Sequence, residues 1–115
     1  ALESDAGLAA AAETNLKGFA NVKVVKGPLA DGAKGGFTLI VVDGAVEIEP
    51  TALLSQLVDG GRLVAIRRES SDPTGQAAKA AIYERGSGKF GNRPLFSAFA
   101  SPVLPGFARE KAFTF

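Results

Sequence analysis

The run Phe37-Thr38-Leu39-Ile40-Val41-Val42 constrains the fold more than any other part of the chain. It is short, apolar and rich in β-branched residues, and it lies between a pair of glycines and Asp43-Gly44. These properties favour a strand that is buried on both faces, because the strands of a parallel sheet usually have no polar face. The run therefore predicts a parallel sheet.

The residues after this run predict how the sheet continues. Pro50 is suited to the first turn of a helix, and an apolar stripe at positions 53, 54, 57 and 58 follows it. Gly60-Gly61 is expected to end that helix, and Arg62–Ile66 is the next strand. A strand, a helix and a strand joined by short connections predict a right-handed parallel crossover, and hence an α/β fold.

Two elements are predicted before the apolar run. Ser4 or Asp5 can cap a helix that extends to about Lys17 through an alanine-rich segment. An apolar stripe of this helix is expected to face the core, and it consists of Leu8, Ala12 and Leu16. The alternating residues 21–25 predict a strand that ends at Gly27-Pro28.

The pattern changes after about residue 69. A turn-rich stretch at 70–75 precedes a predicted strand near Lys79–Arg85, and a tail rich in phenylalanine follows the glycine-rich segment Gly86–Gly91. That segment matches the dinucleotide-binding spacing G-x-G-x-x-G, but the motif requires a helix to begin within it, and here strand-like residues flank it. We therefore predict a hairpin turn that joins two antiparallel strands at the edge of the sheet. Prolines at 94, 102 and 105 are expected to keep the tail irregular.

Composition excludes several kinds of site. With 115 residues the chain is long enough for one domain, and it contains no cysteine and no histidine. A disulfide, a thiolate nucleophile, a histidine base and the usual zinc sites are therefore excluded within this chain. The net charge of +1 has no clustered basic run, so no nucleic acid is expected as a partner. No apolar stretch approaches the length of a membrane span, and we expect a cytoplasmic protein.

Three positions are candidates for binding a ligand, because each follows a predicted strand where ligand crevices of α/β sheets lie. Glu3 could accept hydrogen bonds from ribose hydroxyls, or it could be a solvent-facing residue beside a helix. Asp43-Gly44-Ala45 could bind an amine or cation closely, or it could cap a loop. Pro28-Leu29 could form an apolar wall for a flat base, or only a turn.

Four segments resemble one enzyme family, the protein-L-isoaspartate O-methyltransferases, which depend on S-adenosylmethionine and have a seven-stranded, mostly parallel Rossmann-like sheet. The segments are LESD (2–5), NVKVVKGPL (21–29), FTLIVVDGAVEIEP (37–50) and LLSQLVDGGRLVAI (53–66). The most specific match is the pattern Pro-x-x-Leu-x-x-Gln-Leu-x-x-Gly-Gly-Arg at residues 50–62. The resemblance implies that residues 1–115 are the C-terminal part of a single methyltransferase domain.

The resemblance also implies roles for seven residues. Glu3 would hold the ribose of S-adenosylmethionine with Ser4 beside it, Pro28 and Leu29 would flank the adenine, and Asp43, Gly44 and Ala45 would lie near the methionine moiety. No catalytic residue and no metal ligand is implied within this chain. The chain departs from the family at Pro28, where an acidic residue usually binds the adenine amine, and at Arg67-Arg68, where a Pro-Val-Gly segment is usual.

By the same resemblance, the cofactor loop, the isoaspartate-binding segment and the first, central strand would precede Glu3. We therefore expect the chain alone to bind the cofactor weakly and to be inactive on isoaspartyl proteins, the family's substrates. The edge of Phe37–Val42 would be open, and a homo-oligomer through that edge is expected. Two alternatives stay open: a fragment of an NAD-dependent oxidoreductase, and a non-enzymatic Rossmann-like interaction domain.

Overall fold

A computed structural model describes residues 1–68, 77–99 and 102–109. Its strands form two sheets: β1 (Leu2–Glu3) pairs with β2 (Val25–Lys26), and a four-stranded sheet has the order β3-β4-β5-β6. The strands of the larger sheet are β3 (Phe37–Val46), β4 (Leu57–Arg68), β5 (Ala77–Gly86) and β6 (Lys89–Phe99). The helices are α1 (Ala6–Asn15) and α2 (Thr51–Leu54), and a 3₁₀ turn spans Leu29–Asp31.

The pairing of these strands confirms the predicted α/β fold with its C-terminal antiparallel hairpin. β1 and β2 are parallel, and so are β3 and β4, which α2 connects. β5 pairs antiparallel with both β4 and β6. Among the described strands, parallel and antiparallel pairings are thus equally frequent.

The predicted helix at 50–58 is a single turn in the structure. α2 ends at Leu54, and β4 already begins at Leu57. Gly60-Gly61 does not end a helix but lies within β4, where Gly61 is buried against the carbonyl of Phe37. Leu53, Leu54 and Leu57 are buried, and this spacing is compatible both with one face of a helix and with a helical turn followed by a strand. Over so few residues, hydrophobic periodicity does not distinguish these two structures.

β3 is longer and more exposed than predicted. It continues past Val42 to Val46, with an irregular register between Val41 and Ala45. The predicted burial of both faces is wrong, because Leu39 is 59% and Val41 64% exposed. Ile40 and Val42, which alternate with them, pack against the core. The described residues therefore cover only one face of this strand.

α1 begins as predicted, because the carboxylate of Asp5 accepts a hydrogen bond from the backbone N–H of Leu8 at 2.8 Å. Its predicted core-facing stripe is wrong at Leu8, which is 61% exposed, whereas Ala9 is buried. Within the described part of the chain, the helix packs mainly on β1 and β2, and this short pair covers little of its surface. The predicted strand at 21–25 is reduced to Val25–Lys26.

The core lies on one face of the larger sheet, beneath α2 and the segment 102–109. Its buried side chains include Leu54, Leu63, Tyr83 and Phe107. The carbonyl of Phe107 accepts hydrogen bonds from the backbone N–H groups of Glu47 and Ile48, at 2.9 and 3.3 Å. The tail therefore contributes a buried aromatic ring to the core.

The hairpin turn is confirmed at Ser87-Gly88, which joins β5 to β6. Both residues have positive φ, 52° and 74°, as in the two-residue turns that match strand twist. The tail is more regular than predicted, because β6 runs through Pro94. This proline is tolerated because it lies at a register shift on a strand at the edge of the described sheet.

The buried phenol of Tyr83 predicts a pH dependence of stability. Burial raises the pKa of Tyr83, the charge of Arg67 lowers it, and that of Glu49 raises it, with a net upward direction. The unfolded chain loses this proton near pH 10, before the folded chain does, so the free energy of unfolding should fall as pH rises above about 10. Urea unfolding of the wild type and of Tyr83→Phe at several alkaline pH values checks this. The fall should be shallower in the variant, and equal slopes would contradict the prediction.

Candidate functional site

A cleft of about 1000 Å³ separates β1 from β3. Three consecutive residues, Ala1–Glu3, line one side, and five consecutive residues, Leu39–Asp43, line the other. Successive side chains of a strand point to opposite faces of the sheet. A cavity on one face would therefore be lined by every second residue, whereas a cavity at the edge of a strand is lined by consecutive residues. The cleft therefore lies between two strand edges. Neither edge pairs with another of the described strands, although Ala45 near the end of β3 forms an isolated parallel bridge with Val103.

Glu3 lies at the carboxyl end of β1 and is one of the residues that line the cleft. One carboxylate oxygen, Oε1, accepts a hydrogen bond from the backbone N–H of Asp5 at 3.0 Å. This bond holds the carboxylate next to the first turn of α1. Asp5 thus has two roles: its carboxylate caps α1, and its backbone N–H orients the carboxylate of Glu3.

The structure brings three of the seven predicted site residues to the cleft: Glu3, Leu29 and Asp43. Leu29 begins the 3₁₀ turn and is half-buried, whereas Asp43 is an exposed carboxylate within β3. Ser4 and Pro28 are next to lining residues in the chain but do not line the cleft themselves.

The remaining two predicted residues contact the tail instead. A Cβ at Gly44 would lie 2.5 Å from Leu104, so glycine is needed there for close packing. Ala45 is fully buried, its N–H donates to the carbonyl of Pro102 at 3.2 Å, and its carbonyl accepts from the N–H of Leu104 at 3.0 Å. Gly44 and Ala45 therefore anchor the tail beside the cleft.

Sequence reasoning missed three polar residues of the cleft: Lys23, Lys34 and Gln56. The amide Nε2 of Gln56 donates to the carbonyl of Asp31 at 2.7 Å, which fastens the loop before β3 to the end of α2. Its Oε1 is buried without a hydrogen-bond partner in the described structure. Lys23 precedes β2 and Lys34 precedes β3. These positions before strands were the only feature of the sequence that could have indicated that the two lysines line the cleft.

The cleft combines two carboxylates, two lysines and apolar walls, which suits a ligand that has hydroxyl groups and carries both positive and negative charge. Among the described residues, no group of three acidic side chains is placed to hold a metal ion. None of the helices that the structure describes is long and apolar enough to cross a membrane.

No protein-family model matches the chain, and no curated protein matches it. Solved structures do match it. One is a protein-L-isoaspartate O-methyltransferase from Plasmodium falciparum in complex with S-adenosyl-L-homocysteine, with a TM-score of 0.70 and 19% identity over 87% of this chain and 50% of that one. Another, a protein-L-isoaspartate O-methyltransferase, has a TM-score of 0.75 and 19% identity over 88% of this chain and 32% of that one.

These likenesses confirm the predicted resemblance at the level of the fold. The chain has the fold of part of a protein-L-isoaspartate O-methyltransferase. It spans half the length of the first of these proteins and about a third of the second.

Proposed function

We propose that the chain is part of an S-adenosylmethionine-dependent methyltransferase that methylates carboxylates of isoaspartyl residues in proteins. The observation that carries this proposal is the placement of Glu3 and Asp43 on the two sides of one cleft in a methyltransferase fold. In α/β sheets, ligands bind in the crevice outside the carboxyl ends of the strands. A structural relative holds S-adenosyl-L-homocysteine, the demethylated product of this cofactor.

The residues of the cleft fit the chemistry of this cofactor. Glu3 carries a fixed carboxylate that can accept hydrogen bonds from two vicinal ribose hydroxyls. Asp43 can attract the positively charged methionine portion, and Leu29 offers an apolar surface to the adenine, with Pro28 beside it. Ser4 would lie next to the ribose, and Gly44-Ala45 would keep β3 in place against the tail. S-adenosylmethionine, when bound, supplies the methyl group.

We further propose that the chain alone binds the cofactor weakly and has negligible methyltransferase activity. Methyl transfer depends on aligning the carboxylate with the sulfonium, so a partial pocket loses most of the rate. The cleft supports this view, because it is open along two strand edges and supplies few donors for a carboxylate substrate. Calorimetric titration with S-adenosylhomocysteine that gave micromolar affinity would contradict it.

NMR titration with millimolar S-adenosylhomocysteine tests the site. We expect shifts of the amide signals of Glu3, Leu29 and Asp43, whereas NADH should leave them unchanged. Glu3→Gln should weaken binding about tenfold or more, because a hydrogen bond to a charged group contributes about 1.5–3 kcal/mol. Glu13→Gln, the same change on an exposed face of α1, is the control and should bind as the wild type does. Equal shifts with NADH would favour the oxidoreductase alternative, and no shift with either ligand would favour the interaction domain.

A further inference from the structure

Three Asp-Gly pairs occur in the chain, at residues 31–32, 43–44 and 59–60. Such a pair can rearrange without an enzyme, because glycine has no side chain to keep its backbone nitrogen away from the preceding carboxyl group. The nitrogen attacks Cγ of the aspartate, the hydroxyl of the protonated carboxyl group leaves with the amide proton as water, and a five-membered succinimide ring forms. Water then opens the ring. Attack at Cγ gives back aspartate, whereas attack at the main-chain carbonyl leaves an isoaspartyl linkage.

The fold controls this reaction through the freedom of the backbone. The ring can close only if the peptide between the two residues rotates toward the aspartyl side chain. A peptide that is hydrogen-bonded or tightly packed must first open locally, and this opening costs free energy. The three pairs should therefore differ in reactivity according to how firmly the structure holds each peptide.

The peptide between Asp31 and Gly32 is held on both sides. The N–H of Gly32 donates to the carbonyl of Leu29 at 3.2 Å, and the carbonyl of Asp31 accepts from Nε2 of Gln56 at 2.7 Å. A Cβ at Gly32 would collide with the side chains of Gln56 and Leu53, so this glycine is also closely packed. Ring closure at this pair requires that both hydrogen bonds break.

The pair Asp43-Gly44 is held by packing. It lies within β3, and a Cβ at Gly44 would lie 2.5 Å from the side chain of Leu104. The next residue, Ala45, is fully buried and forms two backbone hydrogen bonds with the tail. Rotation of the peptide before Gly44 would therefore displace the tail from the core.

The third pair, at residues 59–60, lies in a bulge of β4. Phe37 pairs with Leu57, and the next register pair is Leu39 with Arg62, so β4 has an excess of residues between these two pairs. The register of β4 with β5 begins at Arg62. Within the described sheet, the Asp-Gly pair therefore has no register partner in either neighbouring strand.

The surroundings of this pair leave room for ring closure. The side chain of Asp59 is 68% exposed, and a Cβ at Gly60 would have no atom within 4 Å beyond its chain neighbours. Oδ1 of Asp59 accepts a hydrogen bond from the N–H of Gly88 at 3.4 Å and lies 3.7 Å from Nε of Arg85. Polar contacts at an exposed site contribute little, so they do not hold this carboxyl group firmly.

We propose that Asp59 is a site of spontaneous modification, where the folded chain forms a succinimide with Gly60 and then an isoaspartyl residue. The fold protects the other two Asp-Gly pairs. The modification adds one carbon atom to the backbone of β4 and moves the free carboxylate from Cβ to Cα, away from the N–H of Gly88. The reaction needs only water and no cofactor, so its test is independent of the proposed function.

Prolonged incubation of the 115-residue chain at about pH 5 tests the proposal, because acid favours the protonated carboxyl group that loses water. Peptide mapping by mass spectrometry with electron-transfer fragmentation distinguishes isoaspartate from aspartate at each of the three positions. We expect isoaspartate at residue 59 to accumulate about tenfold faster or more than at residue 31 or 43, since those sites react only after local opening. Equal accumulation at the three positions, or none at residue 59, would overturn the proposal.

The same incubation in urea separates the effect of the fold from that of the local sequence. The measure is the ratio of the folded to the unfolded rate at each site. This ratio should be close to one at residue 59 and about tenfold lower or less at residues 31 and 43. A ratio at residue 59 as low as at the other two sites would count against the bulge as the cause.

The variants Asp59→Asn and Asp31→Asn provide a second measurement. An Asn-Gly pair forms the same succinimide with loss of ammonia in place of water, and hydrolysis of the ring then changes the mass of the protein. In the folded state, Asp59→Asn should change mass about tenfold faster than Asp31→Asn, relative to their rates in urea. Equal relative rates in the two variants would contradict the assignment of Asp59 as the modification site.

Discussion

Leu63→Ala should lower the free energy of unfolding by about 3–5 kcal/mol, the largest effect that we expect from a single substitution. Leu63 is fully buried in β4, between its partners Ile40 on β3 and Tyr83 on β5. Removing its side chain leaves a cavity where two strands and the tail meet. A small domain is stable by only about 5–15 kcal/mol, so this change could unfold a large share of the molecules. Urea unfolding followed by circular dichroism measures the difference.

Leu39→Ala is the matched control for this substitution. Leu39 is on the adjacent strand β3, but its side chain is 59% exposed. The same loss of atoms should therefore cost about 0.5 kcal/mol or less. Equal losses at Leu39 and Leu63 would contradict the assignment of the core to one face of the larger sheet.

Gly61→Ala should lower the free energy of unfolding by about 2–3 kcal/mol. A Cβ at this position would lie 2.8 Å from the carbonyl oxygen of Val58 and 2.9 Å from that of Phe37. Both neighbours are backbone atoms: the carbonyl of Val58 can move only if β4 itself bends, and that of Phe37 only if β3 and β4 separate. Urea unfolding gives the size of the effect, and hydrogen exchange should show faster exchange at the amides that join β3 to β4.

Gly91→Ala is the control, because Gly91 also lies in a strand but has no atom within 4 Å of an added Cβ. Both substitutions restrict the unfolded chain equally, so that contribution cancels in the comparison. The control should change stability by about 0.5 kcal/mol or less. Equal effects of Gly61→Ala and Gly91→Ala would contradict the close contact of Gly61 with the backbone of β3.

The sequence predicted those parts of the site that depend on local order along the chain. Glu3 ends a short strand just before a capped helix, and this order alone places a carboxylate at a strand end. Lys23, Lys34 and Gln56 could not be predicted, because they reach the cleft only through the placement of distant elements. Gly44 and Ala45 were expected near a ligand, but their contacts are with residues about 60 positions away in the tail.

The order of strands and helices, a hairpin turn within Gly86–Gly91 and a helix cap at Ser4 or Asp5 follow from the sequence by itself, because each depends on the conformational preferences of neighbouring residues. The tertiary structure alone decided which face of β3 is covered, that Gly60-Gly61 lies within a strand, and that β1 and β3 border one cleft. These features depend on which distant segments pack together. An apolar run shows that burial of the segment is favourable, but it does not show which other element packs against it.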